Sequence, residues 1–237
     1  MKPTLPHHIG FIVDGNRRWA RERGLTTFQG HKRGYERMKD VADWVFAREI
    51  PVASFWIFST ENWKRSKTEV RYLMNMVRRL LMKEVDELMK KGIQLRVTGR
   101  LDNVDRDIKE LFEHALARTA NNARGILNLV FNYGGQEEMV DMVKKILEIR
   151  PQVRMVTKDL LQKYIYSPDL PDVDFVVRTS GELRTSGFLL WQATYAEYLF
   201  PKRMWPAFSE HDLDEALKEF ARRNRRFGGN DSKNPVQ

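Results

Sequence analysis

"HHIGFIVDGNRRWARERG", residues 7–24, opens as an apolar run, reaches a single carboxylate at Asp14, and turns at once into a strongly basic segment. A short apolar run that stops at Gly-Asn and gives way to helical spacing reads as a buried strand feeding a helix. The apolar run at 9–13 has counterparts at 52–58, 93–97, 126–131 and 173–177, with amphipathic segments between them. That alternation is the βαβα signature of an α/β fold, a central and mostly parallel sheet of about six strands with helices on both faces.

The longest helical pattern, 68–91, carries Val70, Leu73, Met74, Val77, Leu80, Leu81, Val85 and Leu88 at spacings of three and four, and Gly92 ends it. A stripe this broad suits either plain core or the wall of a lipid tunnel. A last helix is expected over 210–223, with Ser209 as its N-cap, running into "RRNRRFGG". No repeat, low-complexity block or linker divides the chain, so 1–237 reads as one domain with tails at 1–6 and 230–237.

The 237 residues are 42% hydrophobic, enough for one sizeable core. Lys and Arg number 41 against 32 Asp and Glu, a net charge of +9 that suits a nucleic acid, an acidic membrane surface or a phosphorylated small molecule, or else a solvated basic surface. The absence of cysteine removes disulfides, thiolate metal sites and a Cys nucleophile, leaving oxygen and nitrogen groups to do the chemistry. Neither a signal-peptide layout nor a run of about 18 apolar residues is present, so the reading is cytoplasmic with at most peripheral membrane contact.

In a parallel sheet, ligands bind beyond the carboxyl ends of the strands, where Asp14 falls. The following helix start offers free N–H groups, Gly15 permits close approach, and Arg17 and Arg18 present forked donors suited to phosphate oxygens. Asp14 then fits Mg²⁺, a hard cation held by one or two carboxylates plus substrate phosphates. The plainer alternative is that Asp14 caps the helix and the arginines are solvated. There is no G-x-x-x-x-G-K-[ST] loop. "FIVDGN" also matches the D-x-D-G opening of haloacid-dehalogenase-type phosphatases, except that their nucleophile's position is Ile12. "FSTENWKRS" at 58–66 and "RTSGELRTSGFLLWQATYAEYLF" at 178–200 follow two further strands. Three strand ends thus bring hydroxyls, amides and arginines to one rim, as a pocket for more than one diphosphate requires.

From about residue 8 to 229 the chain resembles the cis-prenyltransferases, the undecaprenyl diphosphate synthase family. The resemblance rests on "DGNRRWA", "GH" at 30–31, "FSTENWKRS", "NYGG" at 132–135, "RTSGELRTSGFLLWQ", Glu197 and "RRFGG". It implies a homodimer that joins isopentenyl diphosphate to an allylic diphosphate with Mg²⁺, makes a new cis double bond and releases pyrophosphate. It further implies that Asp14 is the magnesium and catalytic aspartate and that Gly15, Asn16, Arg17 and Arg18 cradle the allylic diphosphate, with Trp19 and His31 on the same side. Arg178, Arg184, Thr185 and Ser186 resemble the isopentenyl diphosphate site, and Glu197 the second metal carboxylate. Ser59, Thr60, Glu61, Asn62, Trp63 and Arg65 fall in the motif between them, where the Asn is the family's proton acceptor. A neutral amide is a poor base, and pyrophosphate oxygens are the alternative. "RRFGG" resembles a tail that reaches the isopentenyl site across the dimer.

Other residues have plainer readings: His31 as a helix-entry residue, Trp63 as core, and His7, His8 and His211 as surface residues without metal-ligand spacing. Two departures from the family stand out. Thr27 replaces an Arg four residues before the His of "GH", removing one cation from the allylic side. Ile57 and Phe131 replace Ala in many long-chain members, which suggests a narrower passage and a short or medium product. A nucleic-acid-binding module is the competing reading, disfavoured because strand-end carboxylates would repel a phosphate backbone. A non-catalytic dimer subunit is another, disfavoured because Asp14, Asn62, Arg178, Arg184 and Glu197 are all retained.

Overall fold

The computed structural model describes residues 4–223. Within them six parallel strands form one sheet in the order β3-β4-β2-β1-β5-β6. The strands are β1 (His8–Ile12), β2 (Val52–Ser59), β3 (Ile93–Thr98), β4 (Gly125–Tyr133), β5 (Phe175–Arg178) and β6 (Glu197–Leu199). Parallel neighbours require crossover helices, and strands covered on both faces are apolar almost throughout, as all five buried residues of β1 show. The chain passes from β1 to β2 on one side of the sheet and later enters β5 on the other. Strand order therefore reverses at β1, the place where α/β sheets open a crevice.

Helix α1 (Asn16–Arg21) follows β1 directly, and α2 (Thr27–Ala47) returns toward β2 behind a capping box of Thr26 and Gln29. The expected helix at 68–91 divides into α3 (Lys67–Lys83) and α4 (Val85–Lys91). The bend falls at Glu84, whose carboxylate accepts from the Tyr35 hydroxyl at 2.7 Å and from Lys39 Nζ at 2.9 Å, both on α2. Gly92, at φ 67°, ends α4 as its position predicts. Helices α5 (Arg106–Thr119), α6 (Gly135–Ile149) and α7 (Lys158–Gln162) complete the connections, and α8 (Glu210–Arg222) starts at a capping box of Ser209 and Asp212. The sixth strand carries no apolar run of its own, being a three-residue edge paired only with β5. "RRFGG" and the tail after it lie outside the described residues.

The core is widest under β1 and β2, where Phe11 and Phe55 stack at 4.9 Å and Trp205 and Phe208 close over them. The opposite face carries a buried polar chain that corrects the surface reading of His8, which is 1% exposed. Its Nδ1 lies 2.8 Å from the Pro171 carbonyl, which can only accept, so Nδ1 carries the proton and Nε2 accepts from Ser54 Oγ at 2.7 Å. Asn128 Nδ2 donates to Ser54, and Thr98 donates to Asn128, so side chains from four strands form one ladder.

Burial holds the His8 pKa down at about 4, from a normal 6.5. The folded chain then binds fewer protons than the unfolded chain between these values, so this contribution is complete above pH 6.5 and is lost as pH falls toward 4. At about 1.4 kcal/mol per pKa unit, acidification across that window costs about 3 kcal/mol of stability. Urea unfolding at pH 7 and pH 4.5 measures it, and a His8→Gln variant loses that part of the pH slope.

Candidate active site

Beyond the end of β1, Asp14 is fixed through both its backbone and its carboxylate. Its carbonyl accepts from Trp205 N at 3.0 Å and from Thr179 Oγ1 at 2.7 Å. Its Oδ1 accepts from Gly15 N at 2.7 Å and its Oδ2 from Arg178 Nη2 at 2.9 Å. Gly15 sits at φ 103°, and a Cβ there would press on Met204 and Ser180 at about 3 Å, so only glycine turns the chain from strand to helix at this point.

The "GH" pair is explained by packing. A Cβ on Gly30 would lie 2.3 Å from the Asn16 carbonyl, and one on Gly34 would lie 2.1 Å from Asn16 Oδ1. Two helix glycines therefore let α2 lie directly on α1. His31 is brought beneath the crevice and donates from Nε2 to Glu69 Oε1 at 3.1 Å, which Arg65 Nη1 also reaches at 3.1 Å. Burial lowers the His31 pKa against the pull of Glu69, and burial likewise lowers that of Arg65. His31 is thus half of a buried pair with Glu69, joined by the partly exposed Arg65, rather than a helix-entry residue. Glu69 escaped the sequence reading, although S-x-x-E at Ser66–Glu69 is a helix-start signal, and Ser66 Oγ does accept from Glu69 N.

At the end of β2 the chain makes a 3₁₀ turn (Thr60–Lys64), again with a capping box. Asn62 Oδ1 accepts from Ser59 N at 3.1 Å, which leaves the amide NH₂ as the free hydrogen-bonding group. Trp63 is 38% exposed and is not core: its Nε1 donates to Asn132 Oδ1 at 2.7 Å, and its ring meets Phe58 edge-on at 5.1 Å. The glycines of "NYGG" are positions of close approach. A Cβ on Gly134 would fall 2.5 Å from Thr60 Oγ1 and one on Gly135 would fall 2.4 Å from the Gly187 carbonyl. They bring β4, the 3₁₀ turn and the 178–200 segment together.

Two polar cavities of ≈ 350 and ≈ 360 Å³ lie along this rim. Gly15, Asn16, Arg17, Arg18, Arg21 and His31 line the first; Ser59, Glu61, Arg178 and Ser186 line the second; Asp14, Asn62 and Arg65 line both. A smaller apolar cavity of ≈ 80 Å³ leads off the first between α2 and α3. Val13, Asn16, His31, Ile57 and Leu73 belong to both, and Met38, Met76, Val77 and Leu80 lie deeper. The α3 stripe divides: Leu73, Met76, Val77 and Leu80 line the apolar cavity, while Met74 and Leu81 are core.

Arg178, only 5% exposed, anchors the second cavity. Its Nη1 donates to the Arg184 carbonyl at 2.8 Å and to Ser186 Oγ at 2.9 Å. Six expected positions stand apart, Thr60 and Trp63 among them, since neither lines a polar cavity. The Trp19 ring carries the Arg23 guanidinium at 4.7 Å and lines neither polar cavity. Thr185 and the Arg184 side chain flank the second cavity without lining it. Glu197 pairs in register with Phe175, itself opposite Ile9, so it lies five residues short of Asp14 along the sheet, where it binds Arg223 at 3.0 Å. Within one chain the two carboxylates do not meet. Phe131 is also displaced from its expected role: it is buried between Phe58 and Phe112, while Ile57 alone of that pair borders the cavities.

Two cavities sharing the Asp14 carboxylate, with an apolar passage leading off, make a site suited to ligands that join an anionic head to an apolar chain. Residues 12–228 match the family described as "Putative undecaprenyl diphosphate synthase". An isoprenyl transferase of Thermotoga maritima is 37% identical over 95% of this chain and 97% of its own. The "trans,polycis-polyprenyl diphosphate synthase ((2Z,6E)-farnesyl diphosphate specific)" of Thermobifida fusca is 41% identical over 99% of this chain and 84% of its own. The crystal structure of lavandulyl diphosphate synthase from Lavandula x intermedia, in complex with dimethylallyl diphosphate, superposes with a TM-score of 0.90 at 28% identity, covering 94% of this chain and 98% of that one. The chain belongs to the undecaprenyl diphosphate synthase family and is a cis-prenyltransferase.

Proposed function

We propose that the enzyme condenses isopentenyl diphosphate with an allylic diphosphate, in a Mg²⁺-dependent reaction that yields a Z-configured polyprenyl diphosphate and pyrophosphate. The observation that carries this reading is the pair of cavities meeting at Asp14, Asn62 and Arg65, the first of which shares Asn16, His31, Ile57 and Leu73 with an apolar passage. The allylic diphosphate belongs beside Arg17, Arg18 and Arg21 with its hydrocarbon toward Leu73 and Met38. Isopentenyl diphosphate, whose chain is short, belongs beside Arg178 and Ser186, with Arg184 and Thr185 at the rim.

Asp14 suits a Mg²⁺ ion: it is a hard oxygen ligand, one-third exposed, and both its oxygens keep lone-pair capacity beyond their single hydrogen bonds. Among the described residues no cluster of three or more metal-ligating side chains exists, so substrate phosphates and water would complete the shell around Asp14. Bound there, the ion would stabilise charge that builds on departing pyrophosphate. The arginines of the first cavity act in the same direction and count most where that charge is greatest. The allylic carbon–oxygen bond breaks, the isopentenyl double bond attacks the allylic carbon, and a proton leaves to restore a double bond. Asn62 Oδ1 already accepts from Ser59 N and a neutral amide is a poor base, so Asn62 orients substrate and a pyrophosphate oxygen receives the proton.

Three further features fit this assignment. Arg17, Arg18, Arg21 and Arg65 line one cavity beside Asp14, and Arg65 and Arg178 line the other, a concentration of cations that suits a small polyanion. Helix α6 exposes Val140, Val143 and Leu147, and Val153 and Met155 follow, an apolar strip suited to a second copy in a homodimer. No helix among the described residues is long and apolar enough to cross a membrane, in keeping with a cytoplasmic enzyme that meets lipid through its product. Ile57 at the throat of the apolar passage favours a short or medium product.

The decisive test is incubation with labelled isopentenyl diphosphate, a panel of allylic diphosphates and Mg²⁺, followed by product sizing. No elongated product with any starter removes the proposal. Thr27, the first residue of α2, lines neither polar cavity and supplies no cation to the allylic side. A Thr27→Arg variant is expected to lower the KM of the allylic substrate about tenfold, the effect of one charged hydrogen bond of ~1.5 kcal/mol. An unchanged KM for every allylic substrate refutes that role.

A further inference from the structure

Glu182 falls inside the "RTSGELRTSGFLLWQ" motif without a role assigned to it there, yet it holds two of the site's arginines. Arg18 Nη2 reaches Glu182 Oε1 at 2.5 Å, and Arg184 Nη1 reaches Oε2 at 2.6 Å. Each carboxylate oxygen therefore takes one guanidinium, as adjacent phosphate oxygens would. Arg18 comes from the cavity beside α1, and Arg184 from the segment whose carbonyl is held by Arg178. One acid thus links the two diphosphate positions.

The backbone is shaped to put it there. Ser180 and Gly181, just before Glu182, both have positive φ, 79° and 70°. For Ser180 that is a costly conformation, kept because Ser180 N donates to the Arg203 carbonyl at 2.7 Å and Gly181 N to the Pro201 carbonyl at 2.9 Å. Arg18 Nη1 adds a bond to the Ser180 carbonyl at 3.2 Å. The turn that delivers Glu182 is therefore tied on both sides.

On the reading that these cavities bind diphosphates, we propose that Glu182 is an internal competing anion. It holds Arg18 and Arg184 in place while no diphosphate is bound, must give up an arginine to each diphosphate that enters, and takes it back as pyrophosphate leaves. Glu182 is then a positioning residue whose competition keeps product from being retained by the cations that bind substrate. The sign of its effect separates this role from simple support. A brace that only orients arginines weakens anion binding when it is removed, whereas a competitor strengthens it.

The test titrates inorganic pyrophosphate into the full-length protein with Mg²⁺ present, by calorimetry. Glu182→Gln keeps the side-chain shape but offers one acceptor oxygen instead of two, so at least one arginine is released. Glu22→Gln is the charge-matched control, since Glu22 is an exposed acid 3.8 Å from Arg23. Glu182→Gln is expected to bind pyrophosphate about tenfold more tightly and to lower the KM of both substrates without raising kcat. Glu22→Gln is expected to change the pyrophosphate Kd less than twofold. Unchanged or weaker binding in Glu182→Gln overturns the proposal, as does equal tightening in both variants, which would mark a general charge effect. Glu182→Ala is read by the same criterion if the Gln variant does not fold. Absence of any pyrophosphate binding by the wild type would instead refute the diphosphate reading itself.

Discussion

Asp14→Ala is expected to lower kcat about 10³-fold, the scale seen when one preorganised group that stabilises developing charge is removed. Two distinct losses contribute. Departing pyrophosphate loses the carboxylate that would hold Mg²⁺ at the meeting point of the two cavities. Arg178, almost wholly buried, loses its only carboxylate partner among the described ion pairs. An uncompensated buried guanidinium is unfavourable, so melting temperature should fall too, by the equivalent of about 2 kcal/mol given that Asp14 is one-third exposed. Asp14→Asn separates the two effects, because it still accepts from Gly15 N and fills the same space. Its kcat should be as low as that of the Ala variant if the charge is what matters. Steady-state assays with and without a chelator, beside thermal unfolding, measure both. Near-normal turnover by either variant, or by chelated wild type, would contradict the role given to Asp14.

Arg178→Lys is expected to be nearly as damaging in a different parameter. The guanidinium makes three hydrogen bonds from two nitrogens, to the Arg184 carbonyl, Ser186 Oγ and Asp14 Oδ2. A lysine keeps the charge but has one nitrogen on a flexible stem and cannot span the loop and the carboxylate together. The 184–186 segment would then lose its anchor to β5. Losing two charged hydrogen bonds at ~1.5 kcal/mol each corresponds to about 10²-fold in kcat/KM. The loss should appear chiefly as a higher KM for isopentenyl diphosphate, with the allylic KM little changed. Equal rises in both would mean that Arg178 supports the whole rim rather than one substrate.

Much of the architecture was legible because it follows from periodicity. Five apolar runs become five strands whose ends lie within two residues of those expected, and the sixth of the expected six strands has no apolar run to locate it because Glu197–Leu199 is a short edge strand that is only half buried. The long helix was seen but not its bend, because the cause lies on another element: Glu84 turns toward Tyr35 and Lys39, 49 and 45 residues away in sequence. His8 was misjudged for a similar reason. A histidine at a strand end looks exposed until Ser54 and Pro171 close around it.

The site divides along the same line. Sequence alone determined which chemical groups stand at the strand ends, because strand, turn and helix start are local events, and Asp14, Asn62 and Arg178 each lie within or just beyond their own strand. It could not determine which of those groups share a cavity, since that depends on strand order, which places β1 between β2 and β5 although they are far apart in the chain. Tertiary structure alone decided that Glu197 lies level with Ile9 rather than with Asp14, that Phe131 is core while Ile57 borders the passage, and that Glu69 and Glu182 hold the arginines. The physical reason is that hydrogen bonds and ion pairs act over a few ångströms of space, and folding, not sequence separation, sets that distance.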